Sequence, residues 1–317
     1  MNQSEKDTTG ILLMAYGSPE SVEDLEPYLL DIRNGRATPA SLVEEIKDRY
    51  IQIGGRSPLL DLTRKQAICL ENELNQRFKS QGIHYRTYVG MRHWQPRIKE
   101  AVSQMTADGI NRLVALVMAP HSSRLSTGAY FKRLDEAINE LGVEIGLIRI
   151  ESWHNHPGLI EAIAEKAVKA LEQFQGITPY VVFTAHSLPA RILDQGDPYE
   201  RQLQETANLL AQRLVLPDSR WQFSYQSAGR SSEAWLGPQI EEVVKRLAQS
   251  GEKNILIVPI GFVCDHVEVL YDIDIACRQL AAENGARLER SESLNDSPQF
   301  VQALADLVVE HLNKQPF

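Results

Sequence analysis

Cysteine is scarce in this 317-residue chain: Cys69, Cys264 and Cys277 stand far apart and form no Cys-x-x-Cys pair. That excludes a disulfide framework and a zinc ribbon, and it points to a reduced, cytoplasmic setting. Long apolar runs are missing too. None approaches the roughly 18 residues a membrane-spanning helix needs, so an integral membrane protein is not expected. Met1 to Gly10 is polar and lacks the apolar stretch of a secretory signal. A positive charge excess is absent: 33 basic residues face 42 acidic ones, a formal charge of −9, which argues against a general nucleic-acid binder. An anionic small molecule held by a local basic patch stays open. What is present is an ordinary soluble composition, 43% hydrophobic and 24% charged, at a length that suits two domains.

Strand-like and helix-like segments alternate along the chain. Ile11 to Ala15, Tyr85 to Met91, Leu113 to Met118 and Glu144 to Ile150 have strand patterns. Helical patterns cover Arg64 to Phe78, Arg97 to Ala107 and Tyr130 to Leu141, the last closed by Gly142 as a C-cap. After a helix beginning near Pro157 the alternation restarts at Tyr180. Regular βα alternation implies parallel sheets with helices on both faces.

An internal repeat gives the architecture. Glu151-Ser152-Trp153, followed by Pro157, Ile160, Ala162 and Ile163, returns as Glu292-Ser293-Leu294 with Pro298, Val301, Ala303 and Leu304. Pro120 likewise matches Pro259. Two similar Rossmann-like α/β domains are therefore expected, 9–155 and 156–317, with an active cleft between them. From Tyr16 to Pro120 the spacing exceeds that from the equivalent His186 to Pro259 by about 31 residues, an insertion placed at 21–58. Between Arg33 and Arg56 it carries five basic residues (Arg33, Arg36, Lys47, Arg49, Arg56) against Glu44, Glu45 and Asp48. It reads either as a solvated helical flap or as a lid receiving an anionic ligand through arginine contacts.

Two stretches carry chemistry. Tyr180 to Phe183 is an apolar strand that stops at Thr184-Ala185-His186, putting His186 at a carboxyl end, where open α/β sheets place ligands. The buried run Ile255 to Pro259 turns through Gly261 into a helix on which Asp265 and Glu268 have the spacing of a capping box. Yet Glu268 and Asp272 are four apart and would share a helix face, repelling unless a cation or proton lies between them. His186, Glu268 and Asp272 would suit a divalent first-row metal. His93 and His121 also fall near strand ends and read as structural; His154, His156 and His266 read as surface or capping residues. Trp94 and Trp235 read as wall or packing aromatics.

Together, Tyr180–Pro189, Val258–Asp274, Tyr225-Gln226-Ser227 with Trp235-Leu-Gly-Pro238, and Asp48-Arg49-Tyr50 through Gly54-Gly-Arg-Ser-Pro58 resemble ferrochelatase from Leu13 to about Leu304. The resemblance implies a chelatase-like fold and insertion of ferrous iron into a porphyrin in haem biosynthesis. Met14-Ala-Tyr16-Gly-Ser-Pro19 and the polar lid resemble the soluble Gram-positive branch, which acts on coproporphyrin; protoporphyrin is the alternative substrate. A cobalt or sirohydrochlorin chelatase and a haem-binding protein are more distant readings.

By resemblance His186 and Glu268 are catalytic, His186 either taking a pyrrole proton or holding iron. Tyr16, Arg33, Arg49, Tyr50, Ser57 and Tyr130 map onto porphyrin contacts. Tyr16 would be axial to the product iron, and Asp272 an outer or transit metal site. Iron is then a substrate, with no tightly bound cofactor and no iron–sulfur cluster. Ala276 stands where relatives often carry a carboxylate, which weakens the case for a hydrated-magnesium site that would involve Arg49. A monomer is expected, with an iron donor or a downstream haem-pathway enzyme as partner.

Overall fold

The computed structural model describes residues 8–230, 232–315 and 317. They form two compact units. Unit 1 takes the chain up to Ala119, then Arg124–Trp153 and Asn295–Phe317; unit 2 takes Pro120–Ser123 and His154–Leu294.

In unit 1 the chain runs β1 (Thr8–Ala15), α1 (Leu25–Ile32), α2 (Ala40–Gln52), α3 (Leu59–Phe78), β2 (His84–Met91), α4 (Ile98–Ala107), β3 (Arg112–Val117), α5 (Thr127–Leu141) and β4 (Gly146–Ile150). All pairings are parallel, in the order β2-β1-β3-β4. Ile11 to Met14 is fully buried, as a strand covered on both faces requires. Leu12 and Met14 share one core cluster with Val102 and Met105 of α4 and Phe131 and Leu134 of α5. Gly142 ends α5 in the left-handed region at φ 62°, as its cap position demands.

Unit 2 repeats the plan: α6 (Pro157–Glu172), β5 (Tyr180–His186), α7 (Tyr199–Arg213), β6 (Trp221–Gln226), α8 (Ile240–Gln249), β7 (Asn254–Pro259), α9 (Val267–Leu270), a π-helical turn (Asp272–Cys277), α10 (Arg278–Glu283) and β8 (Arg287–Arg290). Its parallel order β6-β5-β7-β8 is that of unit 1, strand for strand. The two-domain α/β architecture expected from the repeat is therefore the observed one.

The division of the chain differs from the expected 9–155 and 156–317. The first boundary falls at Trp153/His154, but the last helix, α11 (Pro298–Lys314), belongs with unit 1, where it packs on α3 and β4. Trp153 explains the attachment: its indole Nε1 donates to the Val117 carbonyl at 3.2 Å, and its ring stacks on Phe300 of α11 with centroids 6.1 Å apart. Pro157 and Pro298 are each the first residue of a helix, so the repeat places them correctly while the helices they start go to opposite units.

The 21–58 segment supplies α1 and α2, where unit 2 has only a 3-10 turn over Ala190–Gln195. β5 runs to His186, which stands at the strand's carboxyl end as expected; Thr184 and Ala185 are buried and pair with Ser224 and Tyr225 of β6.

Candidate active site

His186 is the last residue of β5, fixed in register opposite Gln226 of β6. Tyr199 of α7 donates its hydroxyl to the His186 carbonyl at 2.9 Å, and Ser187 N–H is held by the Gln226 carbonyl at 2.8 Å. The turn after β7 closes tightly over this strand end. Ile260 N–H donates to the Thr184 carbonyl at 2.8 Å, and a Cβ on Gly261 would sit 2.5 Å from the Cβ of Ala185. Only glycine lets the two segments approach so closely. That approach delivers Glu268, whose Oε2 lies 2.9 Å from His186 Nδ1. About a third of each side chain is exposed, so the pair stays accessible. Trp235 packs edge-on against the His186 ring, with centroids 6.5 Å apart.

The pair's electrostatics are mutual. Burial opposes a charge on His186, but the Glu268 carboxylate and its hydrogen bond outweigh burial, with Asp272 adding to them, and raise the imidazole pKa. Burial likewise opposes ionised Glu268, yet His186 and His266 overcome it and hold the carboxyl far below its ordinary range. An ionised Glu268 can only accept. His186 Nδ1 therefore donates to it, and the lone pair of the neutral ring is at Nε2.

Neither capping nor helical spacing describes the carboxylates here. Position Asp265 does not cap α9; His266 is the cap residue and makes no side-chain cap bond. Asp265 instead accepts from Ser293 Oγ at 2.7 Å and pairs with Arg290, which also forks onto Asp274 at 2.7 and 2.8 Å. Asp272 is turned to Ser227, whose hydroxyl donates to it at 2.5 Å. The α-helix stops after Leu270 and continues as a π-helical turn, so a four-residue spacing no longer stacks two side chains on one face. Among the described residues no three His, Cys, Asp or Glu side chains converge on a metal-sized site, so His186, Glu268 and Asp272 are not assembled as a three-donor set.

His266 is the residue that sequence reasoning missed. Its Nε2 is 3.7 Å from Glu268, its Nδ1 is 3.1 Å from the Cys264 carbonyl, and its ring lies on Phe262. A histidine two residues before a singled-out glutamate, in a turn, was the available signal. Ser227 is the second omission, and its φ of +58° marks it as a strained non-glycine residue beside the site.

The residues assigned by resemblance to porphyrin contact lie in unit 1. Tyr16, just after β1, is exposed, while Tyr50 on α2, Ser57 and Tyr130 on α5 are buried. Arg33 is exposed; Arg49 is held by Glu45 at 2.8 Å on its own helix, which takes up part of its charge. His93 touches this set: its ring is 4.7 Å from that of Tyr16, and Nδ1 is 2.8 Å from Asp31. Burial lowers the His93 pKa to about 4 despite Asp31, helped by Arg92 and Arg133, so the ring is neutral. His121 in unit 2 is buried against Thr206, which lowers its pKa to about 3. His154, expected at the surface, is buried and paired with Glu205 at 2.9 Å.

A ferrochelatase family profile matches residues 8–312. A curated ferrochelatase from Deinococcus radiodurans is 43% identical over 302 residues, 94% of each chain. A coproporphyrin III ferrochelatase from Geobacillus thermodenitrificans is 38% identical over 317 residues, 98% of each chain. Among solved structures, the sirohydrochlorin chelatase SirB from Bacillus subtilis subspecies spizizenii, in complex with cobalt, superposes with a TM-score of 0.56 at 13% identity, covering 97% of this chain and 96% of that one. At that identity the likeness concerns the fold alone.

Proposed function

This chain belongs to the ferrochelatase family, enzymes that insert a metal into a porphyrin, and on that premise we propose that it inserts Fe²⁺ into coproporphyrin III to give Fe-coproporphyrin in haem biosynthesis. The observation that carries the chemistry is the His186–Glu268 pair at 2.9 Å. Metal insertion exchanges Fe²⁺ for two pyrrole protons, so a base must work beside an incoming cation. His186 Nε2 offers the lone pair that takes a pyrrole proton. Glu268 stabilises the imidazolium that forms and lowers the electrostatic cost of Fe²⁺ arriving next to it. Asp272 and its Ser227 partner extend the negative path outward for protons leaving or metal entering. In unit 1, Tyr16 serves as axial ligand to the product iron, and Arg33, Arg49, Tyr50, Ser57 and Tyr130 hold the macrocycle. No helix is long and apolar enough to cross a membrane among the described residues.

Two considerations support coproporphyrin over protoporphyrin. Relatives named for coproporphyrin III align over nearly the whole chain at 38–39% identity. The 33–56 segment also keeps a surplus of positive charge in a chain of −9, which suits four carboxylates better than two. The test is steady-state iron insertion by the purified protein into each porphyrin. Coproporphyrin III is expected to give the higher kcat/KM; a higher value for protoporphyrin IX overturns the substrate assignment.

A further inference from the structure

Charges around the end of β2 are unevenly matched. A cavity of about 260 Å³ there is lined by Asp31, Arg92, Arg97, Lys99, Arg133 and Glu140, among others. Arg97 and His93 take the two oxygens of Asp31, Lys99 pairs with Glu140, and Arg133 pairs with Glu136. That leaves Arg92 as the lining cation with no carboxylate partner among the described residues. Its polar contact is a long 3.5 Å bond to the Leu125 carbonyl. Otherwise the guanidinium lies between two aromatic faces, 6.0 Å from the Tyr16 ring centroid and 5.4 Å from that of Tyr130. Its backbone is fixed, with Arg92 N–H donating to the Ala15 carbonyl at 2.9 Å, beside the start of the Tyr16 turn.

We propose that Arg92 is a carboxylate-binding residue and that its ligand is a carboxylate arm of the porphyrin contacted by Tyr16 and Tyr130. The proposal rests on the ferrochelatase reading and adds a residue to it. A half-buried guanidinium has lost part of its hydration, and aromatic faces return only a part of it. Its planar fork of donors matches a carboxylate in two-point contact, which an isolated water cannot supply. The cavity's size fits the assignment: it is large enough for one acid arm. The neighbouring acids are already neutralised, so an entering carboxylate meets one uncompensated positive charge.

The experiment titrates porphyrin into iron-free protein and follows porphyrin fluorescence, for wild type, Arg92→Met and Arg92→Lys. Coproporphyrin III is expected to bind Arg92→Met about tenfold more weakly, the loss of one charge-assisted contact, with Arg92→Lys between. The tetramethyl ester of coproporphyrin should bind all three proteins alike. Equal coproporphyrin affinity across the three proteins overturns the proposal, and so does an equal loss for the ester, which would mean packing rather than charge. Acetate separates the sources of the carboxylate: competition with coproporphyrin in wild type but not in Arg92→Met supports a shared site. Acetate binding at Arg92 without competition makes it a free-anion site and overturns the porphyrin assignment. If Arg92→Met does not fold, the wild-type, Arg92→Lys and ester arms still decide. Binding is read without iron, so failure here is distinct from failure of the functional reading, which would show as a wild-type protein inserting iron into no porphyrin.

Discussion

In unit 1, His93 Nδ1 lies 2.8 Å from Asp31; in unit 2, His186 Nδ1 lies 2.9 Å from Glu268. The sheets have the same strand order, and each histidine sits at or just past a strand end, His93 after the edge strand β2 and His186 at the end of the inner strand β5. The pairs nevertheless titrate in opposite directions. His93 is pushed down to about 4, first by burial and then by Arg92 and Arg133, against the pull of Asp31. His186 is raised, because Glu268 and then Asp272 overcome burial. Asp31 also gives its second oxygen to Arg97 at 3.0 Å, whereas the second contact of Glu268 is with another imidazole, His266. A hydrogen bond of similar length thus accompanies a neutral histidine where burial and nearby guanidinium groups outweigh the acid, and a histidine of raised pKa where carboxylates outweigh burial.

The largest effect expected from breaking that contrast is on turnover. His186→Ala removes the Nε2 lone pair and should lower iron insertion about 10³-fold, within the range for a lost general base, while porphyrin still binds. Wild-type turnover by that variant would remove His186 from the mechanism. Glu268→Gln keeps the side chain's shape and hydrogen-bonding capacity but not its charge. It should cost about 10²-fold in kcat and lower the His186 pKa measured by NMR, since burial would then be opposed by Asp272 alone. An unchanged His186 pKa would show that Glu268 is not what makes it basic.

Much of this arrangement was legible in the residues. The repeat at Glu151 and Glu292 gave the two α/β units, because a helix start after a strand has a fixed polar signature with proline at its first position. His186 stood at a strand end, where sheet geometry concentrates ligands, and Glu268 on the helix that follows β7. Periodicity failed at Asp272, because a π-helical turn changes the side-chain spacing and no local residue announces it. The assignment of α11 to unit 1 was equally hidden, since it depends on Trp153 meeting Phe300, a contact made across 147 residues of chain. The opposite tuning of His93 and His186 was invisible for the same reason: it comes from burial and from groups such as Arg133 and Asp272, which only the fold brings near.

A smaller effect falls on stability. His93 has a folded pKa of about 4 against an ordinary 6.5, so the folded protein binds fewer protons than the unfolded one in that interval. Stability from this residue is fully present above about pH 6.5 and is lost as pH falls toward 4, about 2 kcal/mol of it by pH 5. His121, lowered to about 3, acts with the same sign in unit 2. Denaturant unfolding at pH 7 and pH 5 should therefore show a loss that His93→Asn reduces; an identical loss in the variant would assign the acid sensitivity elsewhere.

The smallest change tests the cause most directly. Arg97→Met releases Asp31 Oδ1 without altering the 2.8 Å bond from His93 to Oδ2. Asp31 then turns its full charge to the imidazole, while the burial of His93 stays as it is. The His93 pKa should rise by about one unit, or 1.4 kcal/mol, as read from its ring proton shift across a pH titration. It should still stop short of the ordinary value of 6.5, because burial is the largest of its causes. No rise at all would mean that burial alone sets His93 and that arginine competition does not separate the two pairs. A rise past 6.5 would mean the reverse: His93 would then be basic like His186, with the guanidinium of Arg97 the only thing that had kept it neutral.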